Sequence, residues 1–159
     1  MCGHSCPDTC AYDGTCNSSA TKRTNLEALV NMDHMTAGCP ALVHDSRLEL
    51  MAQHQAADMA LNFYFGPDGA DGASVATRAA GVGYPRVVRE MYEAGSTGAS
   101  NALSNFESLA YYMNNIDDCT FHYFAVGYYY QANNGRVRDD FTMATDPQWH
   151  HYWVLELGR

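Results

Sequence analysis

The sequence predicts one domain of the α+β class, and three observations carry that prediction. At 159 residues the chain is long enough for one ample core and would be cramped as two domains. Segments of helical and of strand-like periodicity are interspersed along it, with three or so strands lying far apart in sequence. Hydrophobic residues make up 47% and charged ones only 17%, a composition that speaks against disorder.

The elements follow in order. Residues 1–24 are small, polar and cysteine-rich, with turn formers at Pro7-Asp8 and Asp13-Gly14. They read as an extension that only disulfides would hold. Leu26, Leu29, Val30 and Met32 predict a helix from Asn25 to Met35, capped by Thr24 and stopped at Gly38-Cys39-Pro40. A second helix, Arg47 to Asn62, is predicted from Leu48, Met51, Ala52, Gln55 and Met59 at helical spacing, with Asp45 or Ser46 as its cap. After the turn Gly66-Pro67-Asp68-Gly69, Ser74 caps a third helix through Ala80, ended by Gly81 and Gly83. Val87 to Tyr92 reads as a strand and Ala102 to Asn114 as a fourth helix. Tyr123 to Gln131 and Tyr152 to Leu157 read as further strands, with a turn at Asn133-Asn134-Gly135 between them.

Charge narrows the function classes. Nine Lys and Arg stand against eighteen Asp and Glu, a net charge of −9, and no basic run exists to track a phosphate backbone. Nucleic acid and anionic lipid are therefore poor partners. No apolar run approaches the roughly 20 residues of a transmembrane helix. Met1-Cys2-Gly3-His4 has neither the basic nor the apolar region of a leader, so the protein is either intracellular or numbered after a removed leader.

The cysteines favour the second option. Cys2, Cys6, Cys10 and Cys16 cluster, while Cys39 and Cys119 stand apart. An even count and the glycosylation sequon at Asn17 suit an oxidising, extracellular compartment. The N-terminal spacing lacks the C-x2-C pairs of zinc sites, and His4 is the one nearby imidazole, so disulfides are favoured over zinc. The four N-terminal cysteines are expected to pair among themselves, leaving Cys39 to join Cys119.

Several short words stand at the joints between these elements. They are Gly38-Cys39-Pro40-Ala41-Leu42, Asp45-x-Arg47-Leu48, Ala52-Gln53-x-x-Ala56-x-x-Met59-Ala60 and Gly66-Pro67-Asp68-Gly69. Ala80-Gly81-x-Gly83-Tyr84, Val126-Gly127-Tyr128 and Tyr152-Trp153-Val154-x-x-x-Gly158 follow. In this order, across residues 25–159, they resemble the CAP superfamily (cysteine-rich secretory, antigen 5 and pathogenesis-related proteins), chiefly its microbial branch. The resemblance implies a three-layer α-β-α sandwich with helices on both faces of a small antiparallel sheet. Residues 1–24 lie outside it.

Members of that superfamily with a metal cleft set two His and two Glu around it, donors able to hold a divalent cation or polarise water. The resemblance places Tyr64 at the first His and Glu90 at the first Glu. It places Glu107 or the uncharged Asn115 at the second Glu, and leaves His122 as the one substitute for the second His. A phenol with a pKa near 10 is a poor zinc ligand at neutral pH. No metal or other cofactor is expected at this set.

Other candidates weigh toward structure. His150 and His151 are adjacent on an extended segment and point to opposite faces, so one is read as a surface residue and one as packed. His34, His44 and His54 are expected at the surface. Of Tyr128, Tyr129 and Tyr130, at least one is expected to point away from the core, where exposed Tyr suits recognition. The chain lacks an EF-hand loop, a dinucleotide fingerprint and a Gly-x-Ser-x-Gly elbow.

The functional expectation is a secreted, non-catalytic module acting in binding or structural assembly. Its partner would be another copy, in an oligomer or surface filament, or an extracellular protein or glycan. The resemblance implies an alternative, capture of a small apolar ligand such as a sterol or fatty acid. A hydrolase using Glu90 and His122 comes third and lacks a recognisable nucleophile.

Overall fold

The computed structural model describes residues 19–132, 136–141, 145–146 and 149–159. Cys2, Cys6, Cys10, Cys16, Asn17 and the turn at Asn133-Asn134-Gly135 lie outside the described residues.

Five helices are described: α1 (Ser19–Thr36), α2 (Ser46–Asn62), α3 (Val75–Gly81), α4 (Ala99–Glu107) and α5 (Ala110–Ile116). The strands are β1 (Val43–His44), β2 (Tyr64–Phe65), β3 (Val88–Ala94), β4 (Tyr123–Tyr130), β5 (Val137–Asp139), β6 (Thr145–Asp146) and β7 (His151–Gly158). The main sheet has the order β1-β4-β7-β3, and β2-β5-β6 form a small second sheet. The main sheet is mixed and not purely antiparallel, because the two residues of β1 run parallel to β4.

α1 begins six residues before the expected start, and Thr24 lies inside it, its hydroxyl donating to the Thr21 carbonyl. The buried stripe of α1 is Lys22, Leu26, Val30 and His34, spaced at four residues. Its two polar members each find a partner in place. Lys22 Nζ donates to Thr97 O (2.7 Å) and Tyr128 Oη (3.3 Å), and His34 Nδ1 donates to Ile116 O (2.7 Å). His34 is thus a packed residue, contrary to the surface expectation. α2 is capped by Asp45, whose Oδ1 accepts from Arg47 N (2.8 Å), and ends at Phe63 in the left-handed conformation (φ 55°).

Strand alternation assigns the two faces of the main sheet. Phe124, Val126, Tyr128, Trp153, Leu155, Leu157 and Met91 pack toward α1, α4 and α5. Ala125, Gly127, Tyr152 and Val154 turn toward α2, with α3 beside it. Helices therefore cover both faces, which is the three-layer sandwich. The tyrosine triplet divides accordingly: Tyr128 is wholly buried, while Tyr129 and Tyr130 are half-buried on opposite faces.

Two features hold the layers. α2 lies so close on β4 that a Cβ at Gly127 would sit 2.3 Å from the Ala52 carbonyl carbon and oxygen. Cys39 and Cys119 form a disulfide across 80 residues, with Cα atoms 5.0 Å apart, tying the end of α1 to the approach to β4. Substitution Gly127→Ala is expected to prevent native folding or cost about 3 kcal/mol or more, since backbone and not a flexible side chain must move. The double change Cys39→Ser and Cys119→Ser should cost about 2–4 kcal/mol, because the unfolded chain regains the freedom of a long loop. Urea unfolding of the variants measures both.

Candidate functional site

A cleft of about 930 Å³ opens along β3. Residues Val88 to Tyr92 form its floor. Phe65, Pro67, Val75 and Phe141 line one wall, and Leu109, Ala110 and Tyr111 line the other. Phe65 is the hub of the first wall, with ring centroids 5.3 Å from Phe141, 4.9 Å from Trp149 and 6.4 Å from Tyr92. The second wall exists because the expected fourth helix is two helices. Ser108 and Leu109 break it, with Leu109 extended (φ −98°, ψ 123°), and α5 restarts at the cleft. The rim is exposed: Leu109 is 45%, Tyr111 51% and Phe141 52% accessible.

Beneath the floor sits a charged cluster. Glu90 and Glu156 are directly opposed across β3 and β7. Arg78, from α3, binds Glu90 in a two-pronged pair, Nη1 to Oε2 at 2.5 Å and Nη2 to Oε1 at 2.8 Å. Its Nη2 also donates to Pro67 O at 2.5 Å, which fastens the Gly66-Pro67-Asp68-Gly69 turn to the site. The Tyr92 hydroxyl donates to Glu90 Oε1. Burial works against the Arg78 charge, but the Glu90 carboxylate outweighs it and holds the guanidinium charged. Burial pushes the Tyr92 phenol up, and the Glu90 charge pushes it further. Glu156 is fully buried, and burial first, then the charge of Glu90, raise its carboxyl well above the usual range. Both causes favour its protonated form. One cation and one anion pair here, beside an acid whose neutral form burial favours.

The residues named from the sequence do not come together. Glu90 reaches the cleft; Tyr64, Glu107, Asn115 and His122 do not line it. Tyr64 is buried, its hydroxyl donating to Asp58 Oδ2 (2.5 Å) and accepting from Gln55 Nε2 (3.2 Å). Glu107 ends α4 beside Asp33. His122 is exposed just before β4, at the same end of the sheet as Val88, with β7 between its strand and β3. The residues present do not fit a divalent cation. Both Glu90 oxygens are engaged by Arg78, and Tyr64 is committed to Asp58. Among the described residues, no three His, Cys, Asp or Glu side chains group as a metal site. The residues that sequence reasoning missed are Arg78, Glu156 and Tyr111. A Glu inside the apolar strand Tyr152 to Leu157 was the available signal for the second of these.

On the opposite face, Tyr128 Oη meets His151 Nδ1 at 2.7 Å and accepts from Lys22. Burial, with Lys22 and His150 nearby, lowers the His151 pKa to about 4, so the ring is neutral and accepts from the tyrosine. His150 Nδ1 donates to Gln131 O. His44 is exposed and bridges Glu27 and Glu49, at 3.1 and 2.8 Å.

Removing Arg78 leaves a buried carboxylate uncompensated. Arg78→Ala is expected to cost about 3–5 kcal/mol in chemical unfolding. Glu156 gives a pH signature. The unfolded chain releases this proton near pH 4.5 while the folded chain keeps it, so the folded state binds more protons above that pH. The Glu156 contribution to stability is full below pH 4.5 and shrinks as pH rises. Unfolding measured across the pH range should show Glu156→Gln gaining on the wild type steadily above pH 4.5.

The sequence model of the cysteine-rich secretory protein (CAP) family matches residues 28–157. No curated protein matches the chain significantly. Among solved structures, the fold is similar to an extracellular protein containing an SCP domain from Bacillus anthracis (TM-score 0.72, 16% identity, covering 94% of this chain and 44% of that one). It is also similar to an outer surface protein of Borrelia burgdorferi (TM-score 0.64, 13% identity, 86% and 90% covered). A cysteine-rich secretory protein from Staphylococcus aureus gives a TM-score of 0.62 at 8% identity, with 94% and 44% covered. The chain thus spans less than half the length of the first and third. With a three-layer sandwich in place and the match running over most of its length, the chain belongs to the cysteine-rich secretory protein family.

Proposed function

We propose that this is an extracellular, non-catalytic binding domain whose cleft takes an apolar ligand. The observation that carries the reading is the cleft itself, whose walls are aromatic and aliphatic and whose floor carries a charge cluster neutralised from within. Such a site rewards burial of apolar surface, and its Glu90 carboxylate is already paired with Arg78. The Cys39–Cys119 disulfide supports an oxidising setting, as do similar structures described as extracellular and as an outer surface protein. A non-catalytic role is supported by Glu90, whose oxygens are held by Arg78 and Tyr92, and by the separation of Glu90 from His122. The tyrosine triplet lends assembly no support, since Tyr128 packs in the core and its neighbours are half-buried.

A dansyl-labelled fatty acid and radiolabelled cholesterol serve as probes. At least one should bind, with chelator present or absent. Leu109→Asp and Phe141→Asp, both at exposed rim positions, should weaken that binding by about tenfold or more while leaving the fold intact by circular dichroism. Binding that ignores both substitutions, or no binding of either probe, would sink the reading.

A further inference from the structure

The main sheet has two edges, and the fold treats them differently. Past the end of β1, side chains take up the outward backbone groups of β4. Glu27 Oε1 accepts from Val126 N (3.1 Å). Gln53 Oε1 accepts from Tyr128 N (2.9 Å), and Gln53 Nε2 donates to Tyr128 O (2.7 Å). An open edge is a template for another strand, and plugging it is how folded chains suppress that pairing.

β3, the other edge, has no such plug. Gly95 N donates to His151 O and Arg159 N donates to Val87 O, both directly opposed pairs in the β3–β7 register. Hydrogen-bonded pairs recur at every second residue, so Arg89, Met91 and Glu93 face β7. The backbone N–H and C=O groups of Val88, Glu90, Tyr92 and Ala94 therefore point off the sheet, alongside the cleft. Among the described residues, the one hydrogen bond to any of these groups is a long one, 3.5 Å, from Arg89 Nη1 to Val88 O.

We propose that the cleft recognises an extended peptide segment of a partner protein, added to the sheet as a fifth strand beside β3. The proposal rests on the cleft being the binding site and names the partner's chemistry. An added strand presents alternate side chains to the two sides of the sheet. Here one side meets Phe65 and Phe141 and the other meets Leu109 and Tyr111, so the segment must be apolar on both faces over its central residues. The floor from Val88 to Tyr92 accommodates about five residues, or roughly 17 Å of strand. A second copy of this chain does not fit edge to edge. Its own β3 lies equally recessed, with Glu90 and Met91 buried below an exposed rim, and two recessed edges cannot meet. The net charge of −9 favours a segment flanked by Lys or Arg. Main-chain hydrogen bonds would supply affinity and the two walls specificity, as in other strand additions.

The test selects binders to the full chain from a displayed library of random short peptides, then synthesises the best of them. Expected are apolar residues in the centre, basic residues at the flanks, and slowing of amide exchange by about tenfold or more at Glu90 and Tyr92 on binding. N-methylation of the peptide amides one at a time should weaken binding about tenfold at every second central position and leave the intervening ones near unchanged. Tyr111→Ala should weaken binding without loss of fold. A failed selection, indifference to N-methylation, or protection elsewhere than β3 overturns the proposal. In each of those outcomes, continued binding of the dansyl fatty acid or cholesterol keeps the cleft as an apolar site, and loss of both probes as well removes the cleft reading itself.

Discussion

The close seat of α2 on β4 at Gly127 is the constraint on which the other layers depend. With no Cβ at that position the helix backbone comes into contact with the strand, and the reach of every α2 side chain follows from it. Gln53 meets both backbone groups of Tyr128, Gln55 meets Tyr64 and the Gly66 carbonyl, and Asp58 takes the Tyr64 hydroxyl and Ala70 N. These contacts fix the segment that carries Phe65 and Pro67 into the cleft wall. A helix held one side-chain layer further out would leave Gln53 short of the strand edge and the turn at Gly66 without anchor.

The charged cluster answers a second problem, that of a carboxylate pair on adjacent strands inside the fold. Two ionised carboxylates directly opposed and buried would repel without solvent to screen them. The structure answers this by pairing Glu90 with the Arg78 guanidinium and by burying Glu156 where its protonated form is favoured. Arg78 thereby does the electrostatic work that a bound cation does elsewhere, with its charge supplied by the chain itself. Glu90 is thereby committed to Arg78, and the capacity of the cleft for recognition lies in shape, apolar contact and backbone groups.

Much of the fold was legible in the sequence, and the parts that were not share a physical cause. Long periodic segments such as α2 and β7 announce themselves by pattern, and Asp45 and Ser74 mark helix starts by their side-chain chemistry. β1, β2, β5 and β6, of two or three residues each, are too short to have a period, and only their partners define them. The start of α1 was hidden because the polar Lys22 opens its buried stripe, and polar residues are counted inside only when their partners are known. Glu90 was legible from a local word. Arg78, Glu156 and Tyr111 were not, because their meeting depends on strand register, on where α3 docks, and on a helix break at Ser108. His122 stays apart from the cleft for the same reason: its nearness in sequence to β4 does not reveal that β7 lies between that strand and β3.

α5 divides its labour residue by residue. Tyr112 and Ile116 anchor it, through a hydrogen bond from the Tyr112 hydroxyl to Asp33 (2.7 Å), stacking of Tyr112 on Phe106, and the His34 contact to the Ile116 carbonyl. Leu109 and Tyr111 stand exposed just before the first anchor, and Met113 just after it. Point changes at the exposed positions would reshape one wall of the cleft and leave the anchors, the sheet and the charge cluster untouched. Lineages carrying this domain are therefore free to drift in what they bind at little risk to folding, and the first turn of α5 is where divergence among close relatives should concentrate.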